Sequence, residues 1–164
     1  MALVVETGSG SSTAESYITV EAATTYHAAQ GNTAWASLAS DTVREQLLRK
    51  ATGYMEQVYR YKWQGTRVLS TQALSWPRHN VVVDTFEVSY SIVPAEVKNA
   101  CAELALKASI SSLYADQGQA VVRESIGPIE VEYASGSSST TQYKSVSAML
   151  KPYFVATGNM GIRV

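Results

Sequence analysis

The sequence predicts a mainly α fold: a small helical bundle with one β-hairpin and extended N- and C-terminal arms. Three observations carry that prediction. Apolar residues recur at helical spacing from Val43 to Tyr59 and again from Val97 to Ser112. Between Val121 and Tyr133 the period changes to strand-like alternation, split by Gly127-Pro128. The two ends hold polar or glycine-containing stretches with too little apolar pattern to found a core. The expected division is an arm over 1–16, a helical core over 17–118, a hairpin over 119–134, and a linker, short helix and C-terminal arm over 135–164.

In chain order, Leu3 to Val5 can pair as a short strand, and Gly8 to Ser12 reads as a flexible polar linker. Thr19 is a candidate N-cap for a helix from Val20 to Gln30, closed by Gly31 and Asn32. Ser40-Asp41 opens the clearest helix. Val43, Leu47, Leu48, Ala51, Tyr54, Met55, Val58 and Tyr59 form one broad apolar stripe, and Gly65 releases the chain after about Tyr61. Thr66 to Val93 has no sustained period and reads as loop, with Trp76 held extended by Pro77. Pro94 belongs in the first turn of a helix running to about Ala115, with Glu96 near its positive end. Along that helix Ala100, Cys101, Ala105, Ala108 and Ser112 give a narrow face that lets another helix approach closely. Ser135 to Thr141 is low-complexity, and Val146 to Phe154 is a short amphipathic helix.

Composition limits the function classes. The 164 residues are 46% apolar, enough for one core, but only 16% charged, against about 25% in an ordinary domain. Ser, Thr, Ala, Gly and ten Tyr fill the difference, a surface that neighbouring subunits can cover at modest desolvation cost. The net charge of −1 gives no global attraction to nucleic acid or anionic membrane. It is unevenly spread. Residues 1–43 hold four acids and no Lys or Arg, whereas residues 44–79 hold seven bases against two acids. No apolar run reaches the roughly 20 residues of a membrane span, and the N-terminus lacks the basic start of a signal peptide, so a protein cytosolic where it is made is expected.

Catalytic signatures are missing. There is no GxxxxGK, GxSxG, HExxH or CxxC, and Gly8-Ser9-Gly10-Ser11 lacks both the strand and the Lys of a phosphate loop. The histidines His27 and His79 with the single Cys101 do not supply the four ligands of a zinc site. Cys101, set among Ala and Leu, reads as a buried core thiol. Glu130 and Glu132 share a face of the hairpin, which reads as its solvated side, and Glu103 with Lys107 is an ordinary helical ion pair. Catalytic residues, metal and cofactors are therefore all expected to be none.

The basic helix with Tyr54, Tyr59, Tyr61 and Trp63 invites comparison with single-strand binders, which pair Lys and Arg with stacking aromatics. Tyr54 and Tyr59 fall on the apolar stripe, however. Arg44, Arg49, Lys50, Arg60 and Lys62 are left as a charged face without an interleaved stacking platform, either solvated, paired with the acidic N-terminal third of a neighbour, or facing a DNA channel.

Three stretches, Gln72-Ala-Leu-Ser-Trp-Pro-Arg78, Val93-Pro-Ala-Glu-Val-Lys-Asn-Ala-Cys-Ala-Glu-Leu-Ala105 and Arg123-Glu-Ser-Ile-Gly-Pro-Ile-Glu-Val-Glu-Tyr133, together resemble the head–tail connector proteins of long-tailed bacteriophages. Tyr17-Ile-Thr-Val-Glu-Ala-Ala23 and Leu48-Arg-Lys-Ala-Thr-Gly-Tyr54 are similar to that family's usual start. The resemblance implies a virion protein at the head–tail interface: a dodecameric homo-oligomeric ring that joins the portal protein to a tail-completion or tail-terminator protein, with double-stranded DNA passing through its lumen. Apolar residues of the C-terminal stretch, Val155, Met160 and Ile162 with Tyr153 and Phe154, are the expected partner contacts. The competing reading is a DnaT-like single-stranded-DNA-binding replication accessory protein, a label that some similar sequences carry.

Overall fold

The computed structural model describes residues 2–114, 123–126, 129–132 and 143–155, with strands 123–126 and 129–132 described by their backbone. The fold is mainly α. Its helices are α1 (Val20–Ala29), α2 (Thr33–Ala36), α3 (Asp41–Tyr59), α4 (Ala95–Ile110) and α5 (Lys144–Leu150), the last continuing into a 3-10 turn over Lys151–Tyr153. Three two-stranded antiparallel sheets accompany them among the described residues: β1 (Thr66–Arg67) with β2 (Arg78–His79), β3 (Val82–Val83) with β4 (Phe86–Glu87), and β5 (Arg123–Ile126) with β6 (Ile129–Glu132).

Helix starts follow the expected chemistry. Thr19 Oγ1 accepts the N–H of Ala22 at 3.0 Å, and Ser40 Oγ accepts that of Val43 at 3.3 Å, each satisfying an orphan donor of a first turn. Gly31 adopts φ +73° just past α1, the left-handed conformation that ends helices and favours glycine. Pro94 stands one residue earlier than expected, as the residue that caps α4, and α4 stops at Ile110. The short helix α2 has no counterpart in the sequence reading. Four residues are too few to show a period, and Trp35 makes the element by burying its ring.

The centre of the molecule is α3 packed along α4. Leu48, Ala51, Met55, Val97, Ala100, Cys101, Leu104 and Ala105 are all buried. Thr52 Oγ1 and Cys101 Sγ meet at 3.3 Å across the contact, so the small-residue face of α4 serves an intramolecular helix pair. Truncating Leu48 or Leu104 to Ala here would cost about 2–5 kcal/mol. Glu103 turns to α1, accepting from Tyr26 Oη at 3.1 Å, while Lys107 Nζ lies 5.8 Å from the centre of the Tyr143 ring.

The loop-like stretch 66–93 is ordered by buried polar groups rather than by a period. Trp76 is fully buried beside a cis peptide bond to Pro77. Arg78 donates to the carbonyl oxygens of Gln64 (2.6 Å), Gly65 (2.6 Å) and Ser75 (3.1 Å), fastening the end of α3 to β2. Burial pushes the pKa of this guanidinium down, and the carbonyl fork offsets its desolvation. Glu56 accepts from Tyr17 Oη, from Ser75 N–H (3.0 Å) and from Ser75 Oγ (2.7 Å), which ties α3 to the same stretch.

Both terminal expectations change. The predicted flexible linker at Gly8–Ser12 is wrapped around the carboxylate of Glu6, only 1% exposed, which accepts the N–H groups of Gly8 (2.8 Å), Gly10 (3.0 Å) and Ser11 (2.7 Å). Gly8 lies so close to the 91–92 backbone that a Cβ would come within 1.9 Å of Ser91 O. At the other end Tyr153 is buried, its ring edge-on to Trp76 at 5.6 Å and its Oη donating to Glu96 Oε2 at 2.6 Å. Phe154 stacks on Tyr59 at 5.5 Å. These two of the five residues expected to reach a partner instead complete the core. Val155 donates its N–H to Lys62 O at 2.8 Å and exposes its side chain; Met160 and Ile162 lie outside the described residues.

Candidate nucleic-acid interface

The five cations expected on one face divide into two groups. Arg44 is an internal brace: Nη1 meets Asp41 at 2.7 Å, and Nη2 donates to the carbonyl oxygens of Ala36 and Leu38, each at 3.1 Å, and of Trp35 at 3.4 Å. It thereby satisfies the orphan acceptors at the end of α2. Arg49 bridges Glu15 at 3.0 Å and Glu45 at 3.4 Å, and its guanidinium holds the Glu15 carboxyl below the usual carboxylate range. The acidic N-terminal third does pair with the basic helix, but within one chain. Lys50, Arg60 and Lys62 are exposed, and among the described residues none of them forms an ion pair. The Lys62 ammonium lies 5.3 Å from the centre of the Tyr59 ring.

Beside the open group runs a groove of about 470 Å³ between α3 and the C-terminal end of α4. Lys50, Gly53, Tyr54 and Gln57 form one wall, and Ala108 and Ser111 to Tyr114 form the other. Its position follows from the end of α4 at Ile110. The chain then turns outward, with Ser112 Oγ donating to Tyr114 O at 2.6 Å, and the Tyr114 ring is laid 5.0 Å from that of Tyr54. Tyr143 meets Tyr54 edge-on at 5.5 Å. Burial pushes the Tyr54 hydroxyl up to about 12, so it stays protonated and the aromatic floor stays uncharged at neutral pH. Tyr114 keeps 45% of its surface open.

The electrostatic character of the groove lies in its lining. Among the described residues that line it, Lys50 is the one charged residue and none is a carboxylate. Serine hydroxyls and the Gln57 amide supply neutral donors and acceptors. An anion entering meets one cation and no repulsion, and a flat apolar ring meets tyrosine. Of this wall the sequence reading had only Lys50. Continuing α4 to about Ala115 hid Ser111, Ser112 and Tyr114; two adjacent serines, which compete for backbone hydrogen bonds and favour helix ends, were the available signal.

The other candidates are structural. His27 is buried, Cys101 is buried with its thiol pKa raised by desolvation, and the His79 ring lies against Tyr90 at 4.6 Å. Among the described residues no group of three or more His, Cys, Asp or Glu is placed to hold a metal, and no helix is long and apolar enough to cross a membrane.

Fold and groove together define a small mainly α protein whose groove between α3 and α4 carries a lysine and an exposed tyrosine. A family model described as "Putative DnaT-like ssDNA binding protein" matches residues 1–164, and the chain belongs to that family. No curated protein and no solved structure matches it. The family overturns the head–tail connector resemblance, and with it the virion role as a portal-bound ring around a DNA channel. The physical reason is visible in the fold. The features read as partner contacts, namely the acid–base asymmetry and the aromatic residues Tyr153 and Phe154, are satisfied within one chain.

Proposed function

We propose that this protein binds single-stranded DNA in the groove between α3 and α4, with Tyr114 stacking on a base and Lys50 meeting the phosphate backbone. The observation that carries the reading is a groove of about 470 Å³ whose described lining combines an open tyrosine with one cation and no acid. Stacking on an aromatic is worth about 1–3 kcal/mol per base and tolerates any sequence. Gln57, Ser111 and Ser112 add hydrogen bonds without fixing the base. The family description points to the same ligand. The protein acts by binding, and no reaction is assigned to it.

The direct test is fluorescence anisotropy with labelled oligo-dT at about 50 and 200 mM salt, where the reading expects binding that weakens as salt rises by roughly 0.7 log unit per log unit for each phosphate neutralised. Absence of binding at the lower salt overturns it. Gly53→Glu locates the site. A Cβ at Gly53 meets nothing within 4 Å, so the substitution fits the fold. Replacing a mid-helix glycine also favours the helix by roughly 0.5–1 kcal/mol. The variant is expected to be at least as stable as the parent yet to lose oligonucleotide binding, because it places a carboxylate in the groove.

A further inference from the structure

Tyr61 is the most exposed large hydrophobic side chain among the described residues, 91% open, although Tyr59 and Trp63, two residues away on either side, are both buried. Among the described residues its ring makes no hydrogen bond, ring contact or cation contact. It lies where the exposed face of α3 leads. Lys50, Gln57 and Tyr61 are spaced by seven and four residues, which places them on one side of a helix. The helical conformation continues through Arg60 (φ −48°, ψ −42°). The ring is flanked by Arg60 and Lys62, both exposed and neither in an ion pair among the described residues. The other strongly exposed ring, Phe86 at 77%, is unlike it: Asp84 and Glu87, both exposed, stand on either side and would repel a phosphate backbone. Of the two, only Tyr61 combines a free aromatic face with positive charge.

We infer that Tyr61 is a second stacking point for single-stranded nucleic acid, with Arg60 and Lys62 holding the phosphates on either side. The bound strand then runs out of the groove and along α3 toward its C-terminal end. This rests on the groove reading above and adds to it a direction, a length and a residue. At 1.5 Å per residue, Lys50 and Tyr61 are about 16 Å apart along the axis. Stacked nucleotides at about 3.4 Å each fill that span with about five. A strand shorter than this engages the groove alone; a longer one engages both rings. The groove residues fix the strand at one end, and Tyr61 sets the shortest length that binds fully.

The experiment is a length series of oligo-dT, about 3, 6 and 12 nucleotides, titrated against the full chain and against Tyr61→Ala, Tyr61→Trp and Lys62→Ala. The parent should gain affinity sharply between the shortest and the middle length. Tyr61→Ala should bind the shortest oligonucleotide as the parent does, lose about fivefold or more on the longer two, and keep the parent's salt slope, because stacking releases no counterions. Tyr61→Trp should retain or increase the gain. Lys62→Ala should lower the salt slope on the longer oligonucleotides by roughly 0.7. With its side chain in solvent, Tyr61→Ala is not expected to disturb folding, and an unchanged melting curve checks that. If the parent binds the long oligonucleotides and Tyr61→Ala binds them equally well, this inference fails and the groove reading stands. If the parent binds no oligonucleotide of any length, the groove reading fails first and this one with it.

Discussion

Helix α3 has two halves with the same kinds of residues and opposite uses of charge. In the N-terminal half Arg44 and Arg49 are spent inward, one on the carbonyl end of α2 and Asp41, the other on Glu15 and Glu45. Toward the C-terminal half Lys50 is exposed at the tyrosine groove, and Arg60 and Lys62, just past the helix end, face solvent. Formal charge counted along a helix is therefore not charge available to a ligand. What separates the halves is what folds back on them. The N-terminal segment and α2 bring carboxylates and orphan carbonyls to the first half, whereas the end of α4 brings serines and a tyrosine to the second.

The comparison predicts a crossed pattern of effects. The largest is Arg44→Met, which strips the end of α2 of its donor and should cost about 2 kcal/mol, roughly 5 °C in melting temperature for a chain of this size, with oligonucleotide affinity unchanged. Lys50→Met should do the reverse: no measurable change in melting, and a loss of about 1 kcal/mol, roughly fivefold, in oligonucleotide binding at low salt. The two sites share no partner, so the double variant should show both losses in full. Melting curves and anisotropy titrations on the three variants check the pattern. If Arg44→Met weakens DNA binding as strongly as Lys50→Met does, the division of α3 is wrong.

A smaller effect separates the two ends by pH. His27, on α1, is buried against α2 and α4 with Nε2 3.1 Å from Ala102 O and Nδ1 3.1 Å from the side-chain amide of Asn32, its ring 4.7 Å from Trp35. A carbonyl only accepts, so Nε2 carries the proton and Nδ1 accepts from Asn32. Burial, outweighing the favourable Ala102 carbonyl and Glu103 charge, lowers its pKa below the usual value of 6.5. With the folded pKa depressed, the unfolded chain takes up the proton first. Stability therefore falls as pH drops through 6.5 and levels off below the folded pKa, and this residue contributes no pH dependence well above 6.5. Melting temperatures at about pH 7.5 and 5.5 should converge in His27→Gln, which keeps a donor for Ala102 without a titrating group. A parent and variant with equal losses on acidification would remove His27 from this account.

Much of the architecture was legible in the sequence because its causes are local. Thr19 and Ser40 cap the helices they precede in sequence, the Val43–Tyr59 stripe declares a buried face by its own period, and the strands 123–126 and 129–132 meet across Gly127-Pro128 as the alternation indicated. Cys101, Tyr54 and Tyr59 were placed in the core by the same reasoning, and they are buried. The expectations that changed depend on partners distant in sequence. Tyr153 and Phe154 look like a free apolar end until Trp76 and Tyr59 are brought beside them, and Gly8–Ser12 looks like a linker until Glu6 turns back to accept its N–H groups.

The candidate site divides in the same way. By itself the sequence determined that α3 is basic and amphipathic and that its core tyrosines are not the stacking surface. Both follow from periodicity and charge within one segment. The exposure of Tyr61 between Arg60 and Lys62 came from the structure. Only the tertiary structure decided which cations remain open and where the groove lies. Those outcomes rest on Glu15 meeting Arg49 across 34 residues and on Tyr114 meeting Tyr54 where α4 ends against α3. Pairings over such separations are set by the packing of the whole core, and no local pattern encodes them.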